Sequence, residues 1–282
     1  MRTLITNQII SYALGTGIVA ILWWQHRRRY RGLGLWLVNA LMQTAAFGLL
    51  IQQDAAAFQA SSTLRVILIF SGVLLFYVGL SKFLDQESHQ LHNIVILALL
   101  VPIHIHFTYT APNLAAQNII SSIGLSILFI QIVGLLFWGT RVRFRSITKT
   151  TGYVFLAYAI TSSLSVITNI FFPSTGTYFL EAGDFLDATF ILVYQILFLV
   201  LSFSLFLMIH QRLLNDFKKS ETRYRELVEF SPDALFVYRE GKLIYANPTG
   251  VKLLGAKKPK EIIGKSVFDF VHPDNHEVAQ KR

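Results

Sequence analysis

Seven stretches of this chain are apolar nearly all round for about the length that crosses a bilayer, and that pattern limits the fold more than any other feature. They are Gln8–Trp24, Gly32–Ile51, Leu64–Phe83, Leu91–Thr108, Asn118–Trp138, Gly152–Phe172 and Phe185–Ile209. A helix in a soluble bundle keeps one polar face. These stretches do not, and in hydrocarbon a backbone with no water to bond must satisfy itself as a helix or a closed barrel. The expectation is an all-α membrane protein, a seven-transmembrane helix bundle over residues 1–210. The fourth stretch is the least regular, with Pro102, His104 and His106. Only 15% of the residues are charged, against about a quarter in ordinary soluble domains. After His210 the composition changes to that of a soluble protein, which marks a domain boundary.

Basic residues give the bundle a direction. The first connection carries His26, Arg27, Arg28, Arg29 and Arg31. The third carries Lys82 and His89 beside Asp85 and Glu87, and the fifth Arg141, Arg143, Arg145 and Lys149. Arg212, Lys218 and Lys219 follow the seventh stretch. The second, fourth and sixth connections hold almost no basic charge apart from Arg65, and the sixth is acidic, with Glu181, Asp184 and Asp187. The positive-inside rule then sets the N-terminus outside and the C-terminus inside. The expected location is the inner (cytoplasmic) membrane, multi-pass, with the tail in the cytoplasm. Trp23, Trp24, Trp36, Trp138, Tyr30 and Tyr153 fall near the inner ends, the depth that amphipathic rings prefer. The net charge of +9 sits in these membrane-flanking clusters. It points to anionic membrane lipids as partners and away from nucleic acid. The chain has no cysteine, which excludes disulfides and thiolate metal sites. The first stretch ends in an arginine cluster and has little basic n-region, unlike a cleaved signal peptide.

Polar residues interrupt the apolar stretches at few places. Asn39 and Gln43 lie one turn apart on the second, and Gln131 is mid-stretch on the fifth. Thr161, Ser162, Ser165, Thr168 and Asn169 make the sixth the most polar, and Tyr194 and Gln195 lie on the seventh. Each alone reads as an interhelical hydrogen bond. Taken together, the outer halves of helices six and seven leave that reading and a ligand cavity both open. The candidate ligand-binding residues are His104, His106, Thr168, Asn169, Asp184, Asp187, Tyr194 and Gln195. His104 and His106 are two residues apart and point to different faces of a helix, a poor spacing for one metal. No catalytic set, metal site or cofactor is expected. The expected ligand is small and mostly apolar or neutral. With no mid-depth charge and no lysine on helix seven, proton pumps, ion pathways and retinal proteins are disfavoured.

From Phe206 to Val228 there is neither proline nor glycine. His210, Leu214, Phe217, Glu221, Tyr224 and Val228 recur at spacings of four and three, an a/d seam with polar interruptions. Residues 211–229 are read as a signalling helix that pairs in a parallel coil to make a homodimer, with Leu214, Phe217, Tyr224 and Val228 relaying a motion of helix seven. The alternative is an amphipathic helix lying on the membrane. In residues 230–282, Asp233–Tyr238 and Lys242–Ala246 read as strands around a Glu240-Gly241 hairpin turn. Asn247-Pro248 opens a short helix that Gly255 stops, and a second short helix spans Pro259–Ile263.

The run Ser231-Pro232-Asp233, Tyr245-Ala246-Asn247-Pro248, Leu253-Leu254-Gly255, Gly264-Lys265-Ser266 and His272-Pro273-Asp274, after an entry helix with Tyr224, Leu227 and Val228, resembles the first half of a PAS domain. The resemblance implies an incomplete α+β PAS module, lacking a further helix and three strands. It further implies that the sequence is a fragment. Joined to the bundle, it is similar to the input region of bacterial or archaeal sensor histidine kinases. Diguanylate cyclases use similar seven-helix inputs, and the stretch from Arg29 to Trp36 resembles an inner-loop feature of both. The implied function is a signal-transducing receptor with no enzymatic activity of its own, whose output domain, a histidine kinase, lies further along the full-length protein. A transporter or channel with a regulatory tail is the alternative of another class. A membrane-embedded enzyme ranks last, with His104, His106 and Asp184 as its only candidates.

Overall fold

The computed structural model describes residues 2–51, 55–87, 90–140, 145–173 and 185–275. The chain divides into two compact units, Met1–His210 and Gln211–Arg282.

The first unit is built from α1 (Arg2–His26), α2 (Leu33–Gly48), α3 (Ala55–Phe83), α4 (Leu91–Ile105), α5 (Leu114–Gly134), α6 (Arg145–Phe171) and the start of α7 (Phe185–Glu229). α2 packs on α1 and α3, and α5 packs on α4 and α6. Six of these helices are long and apolar enough to cross a membrane. α2 is also apolar but has only 16 residues, about 24 Å at 1.5 Å per residue; a 3-10 turn, Leu49–Ile51, continues it. Pro102 lies inside α4, and α4 and α5 each end in a turn of π-helix, His106–Thr110 and Leu135–Gly139. Large apolar side chains such as Leu14, Ile21, Leu99, Ile130, Ile160, Ile196 and Phe203 are exposed, the surface expected of helices facing lipid tails.

The core is aromatic and concentrated toward the end where α1 finishes. Trp36, Phe83, Leu136, Met208 and Ile209 are buried there. Trp36 lies 5.5 Å from Phe76 and 5.1 Å from Phe83, ring centre to ring centre, and Tyr30 lies 5.6 Å from Phe83. Lipid supplies no hydrophobic drive between helices, so close packing must hold them. Glycines allow that approach at α1 and α7, where a Cβ on Gly15 would overlap the Phe198 ring. The entry to α2 is tighter. Gly32 has φ +94° and sits against the backbone of α3, where a Cβ would run into the Gly79 carbonyl. Gly32→Ala therefore combines a disfavoured dihedral, about 1–3 kcal/mol, with a backbone clash that no rotamer relieves. We expect it to lower the thermal midpoint of the detergent-purified protein by several degrees. Gly34→Ala should be milder, because its Cβ would meet only the Trp23 indole at 3.3 Å.

The second unit takes in the rest of α7, then β1 (Phe236–Arg239), β2 (Lys242–Ala246) and α8 (Pro248–Leu253). α7 is one unbroken helix of 45 residues, as the lack of proline and glycine predicts. β1 and β2 are antiparallel. Glu240 (φ 52°) and Gly241 (φ 72°) are both left-handed at the turn, the requirement of a two-residue hairpin that matches strand twist. β1 starts at Phe236, later than the expected Asp233, because Asn247 ties up the backbone of residues 233–235. Leu243, Ala246, Val251 and Ile262 form a small core with Phe236 and Phe270 against it.

Candidate functional site

The bundle encloses a cavity of about 230 Å³. For scale, an apolar cavity of about 150 Å³ takes up benzene. Its walls come from α1 (Gln8, Tyr12), α2 (Asn39, Gln43, Phe47), α3 (Arg65, Phe70), α5 (Asn118, Ser121, Ser122), α6 (Tyr158, Ser165) and α7 (Phe190, Tyr194, Phe198). Most of the polar positions lie in the early turns of α1, α5 and α7 and the late turns of α6. The polar part of the space therefore sits toward the end of the bundle that holds the start of α1, and core side chains including Phe76, Phe129 and Phe155 close its other side.

Aromatic faces and short polar contacts shape it. Tyr12 stacks on Phe198 at 3.9 Å and leans on Phe47 at 4.4 Å. The Tyr194 hydroxyl shares a 2.9 Å hydrogen bond with Ser162 Oγ. Ser122 donates to Ser165 Oγ at 3.1 Å. Gln43 donates to Asn39 Oδ1 at 3.1 Å and to the Ile69 carbonyl at 3.2 Å. Such pairs lock rotamers across helices at about 0.6 kcal/mol each. The Gln8 side-chain oxygen is buried with no hydrogen-bond partner among the described residues, so a donor on a bound molecule would be favoured beside it. Arg65, expected in the second connection, lies inside α3 and lines the cavity.

Of the expected ligand residues, only Tyr194 lines this cavity. Asn169 is buried one layer behind it and accepts from the lining Asn118 at 3.4 Å. Thr168 bonds back to its own helix at the Ser165 carbonyl. Gln195 reaches α1, donating to Ser11 Oγ at 2.8 Å. His104 is buried, with Nδ1 3.4 Å from Ser121 Oγ, while His106 is exposed; the two do not converge. Asp184 lies outside the described residues, as do Glu181 and the rest of residues 174–184; Asp187 falls in the first turn of α7. Sequence reasoning missed Gln8, Tyr12 and Arg65. Gln8 and Tyr12 are polar groups spaced one turn apart near the start of an apolar stretch, the same signal that singled out Asn39 and Gln43.

Within the second unit, α7 carries the expected relay residues. Leu214, Phe217 and Tyr224 are exposed and Val228 is half-buried. Arg225 pairs with Glu221 at 3.0 Å along the same helix. The end of α7 is then tied to the strands. The buried Asn247 amide donates to the Val228 carbonyl at 3.1 Å and to the Asp233 carbonyl at 2.9 Å. Its oxygen accepts from Leu235 N–H at 2.9 Å and Gly250 N–H at 2.8 Å. Tyr245 donates to the Glu229 carboxylate at 2.8 Å. Burial and that carboxylate raise the phenol above its ordinary pKa, so it stays a donor at neutral pH.

The fold thus presents a bundle of apolar, membrane-type helices and, after it, a small α+β module. Residues 222–281 match the PAS domain family. The chain is also similar to Sporulation kinase A of Bacillus subtilis (strain 168), at 35% identity over 65 residues. That stretch is 23% of this chain and 11% of the kinase, so the similarity spans a small part of the relative's length. No solved structure matches the chain. A PAS domain together with similarity to a sporulation kinase supports a signalling sensor role, and the apolar helices fit a membrane sensor region.

Proposed function

We propose that this chain is the input region of a membrane-bound sensor histidine kinase. In this reading α2 spans with the other six helices, the N-terminus is outside, and the tail is cytoplasmic. A small, largely apolar molecule enters the outer-half cavity and biases the packing of α7 against α1 and α6. α7 carries the change to the PAS module and on to a kinase core, and two chains pair through Leu214, Phe217 and Tyr224. The observation that carries the reading is the single helix from Phe185 to Glu229, which has Tyr194 and Phe198 in the cavity wall and whose last two turns lie inside the PAS match.

A ligand shifts such a device only through unequal affinity for its two packings, and a side chain that fills the cavity should do the same. The test fuses the chain to a histidine kinase core and compares autophosphorylation in membranes for the parent and Ser122→Phe. Output should change severalfold and lose its response to whatever stimulus is active. A Ser122→Phe protein that is folded, with output and response unaltered, would remove the cavity from the mechanism.

A further inference from the structure

The stretch from Arg29 to Trp36 takes no part in the cavity or the relay, yet it builds a second concave site in the bundle. The pocket is lined by Trp23, Arg27, Tyr30, Arg31, Gly32, Gly34 and Lys82. We infer that it binds the phosphate of an anionic phospholipid headgroup or of a small soluble phosphate ester, held by Arg27, Arg31 and Lys82.

Three kinds of observation support this. The first is chemical. Arginine and lysine side chains only donate hydrogen bonds, and no carboxylate is among the described residues lining the pocket. Neither Arg31 nor Lys82 has an ion pair among the described residues. Clustered guanidinium and ammonium donors in one pocket suit phosphate oxygens. The second is shape. The tight approach of Gly32 to Gly79 sets the start of α2 against α3 and brings the Arg31 side of the turn to Lys82, one turn on. Gly34 leaves open the floor in front of Trp23, whose indole nitrogen would lie 3.3 Å from a Cβ there. No side chain caps the start of α2 at Gly32, and Gly32 and Gly34 of that first turn line the pocket, where the positive end of a helix favours an anion. The third is position. Lys82 stands one residue from the end of the α3 span. Trp24, Trp138 and Tyr153 are exposed at the same end of the bundle, the aromatic belt of a headgroup layer. The Arg27 guanidinium lies 4.3 Å over the Trp24 ring, which holds it at that depth.

The test uses the whole chain in phosphatidylcholine nanodiscs with or without phosphatidylglycerol, and reads retained lipid by native mass spectrometry. Phosphatidylglycerol should be retained in preference to phosphatidylcholine. Arg31→Gln and Lys82→Gln should each lower retention about fivefold, and Arg31→Lys should largely restore it. Arg28→Gln removes the same charge from the same turn outside the pocket and should change little. A parallel arm adds inorganic phosphate or glycerol 3-phosphate to phosphatidylcholine discs. Stabilisation there that is lost in Arg31→Gln and Lys82→Gln assigns the site to a soluble phosphate, whereas stabilisation by phosphatidylglycerol alone assigns it to lipid. Equal losses for Arg28→Gln and Arg31→Gln, or no preference for phosphatidylglycerol with no effect of either soluble phosphate, overturn the proposal.

Discussion

Asn247→Ala should uncouple the end of α7 from the strands that follow it. One buried amide makes four hydrogen bonds there, to Val228, Asp233, Leu235 and Gly250. Alanine leaves the Asp233 carbonyl and the Leu235 and Gly250 N–H groups without this partner and reduces the Val228 carbonyl to its 3.4 Å bond from Ser231 N–H, and each buried orphan costs about 1–3 kcal/mol. Even after water reaches some of them, the loss is comparable to what a four-residue core of Leu243, Ala246, Val251 and Ile262 can supply. Hydrogen exchange on the full chain should show amides from residues 235–255 losing most of their protection, while α3 and α5 stay unchanged. Asn247→Asp retains both acceptor bonds but sets a carboxylate against two carbonyls, so it should fall between alanine and the parent. Unchanged protection in Asn247→Ala would mean that the strands hold to α7 by other means.

Phe217→Glu should break the pairing of two chains that we propose through α7. In one chain Leu214, Phe217 and Tyr224 are 46%, 67% and 69% exposed along one stripe of α7. Burying side chains of this size in a partner's seam gains about 1.5–3 kcal/mol each, and a carboxylate at the centre removes that gain and adds repulsion across the pair. Cross-linking in membranes should show the dimer fraction falling at least tenfold, with the output of a kinase fusion falling with it. Lys219→Glu, two residues away on the opposite face of α7, should leave both near the parent. A dimer that persists in Phe217→Glu would place the pairing elsewhere.

What the chain discloses before folding depends on how locally each feature is encoded. The apolar stretches are legible because a helix in lipid is written residue by residue along its own length. The unbroken α7, the Glu240-Gly241 turn and the Glu221–Arg225 pair are legible for the same reason: each depends on neighbours within a turn. The cavity is not. Tyr194 was singled out because a phenol in an apolar run is conspicuous, but its opposite wall, Gln8 and Tyr12, comes from the far end of the sequence. Arg65 read as a loop charge because the apolar run looks complete from Leu64 onward, whereas α3 begins nine residues earlier, at Ala55. Position along the stretch was the poorer guide for His104 and His106: about 100° of rotation per residue buries one and exposes the other. The start of β1 was misjudged because a side chain twelve residues away, Asn247, decides it.

Within the first unit, α7 is clamped at one end and unsupported at the other. Met208 and Ile209 are each 1% exposed, held in the solid core, while Tyr194 faces open space. At 1.5 Å per residue, Tyr194 stands about 21 Å along α7 from that clamped end. Trimming Met208 or its neighbours would loosen that clamp, and a push at Tyr194 would then be absorbed within the bundle.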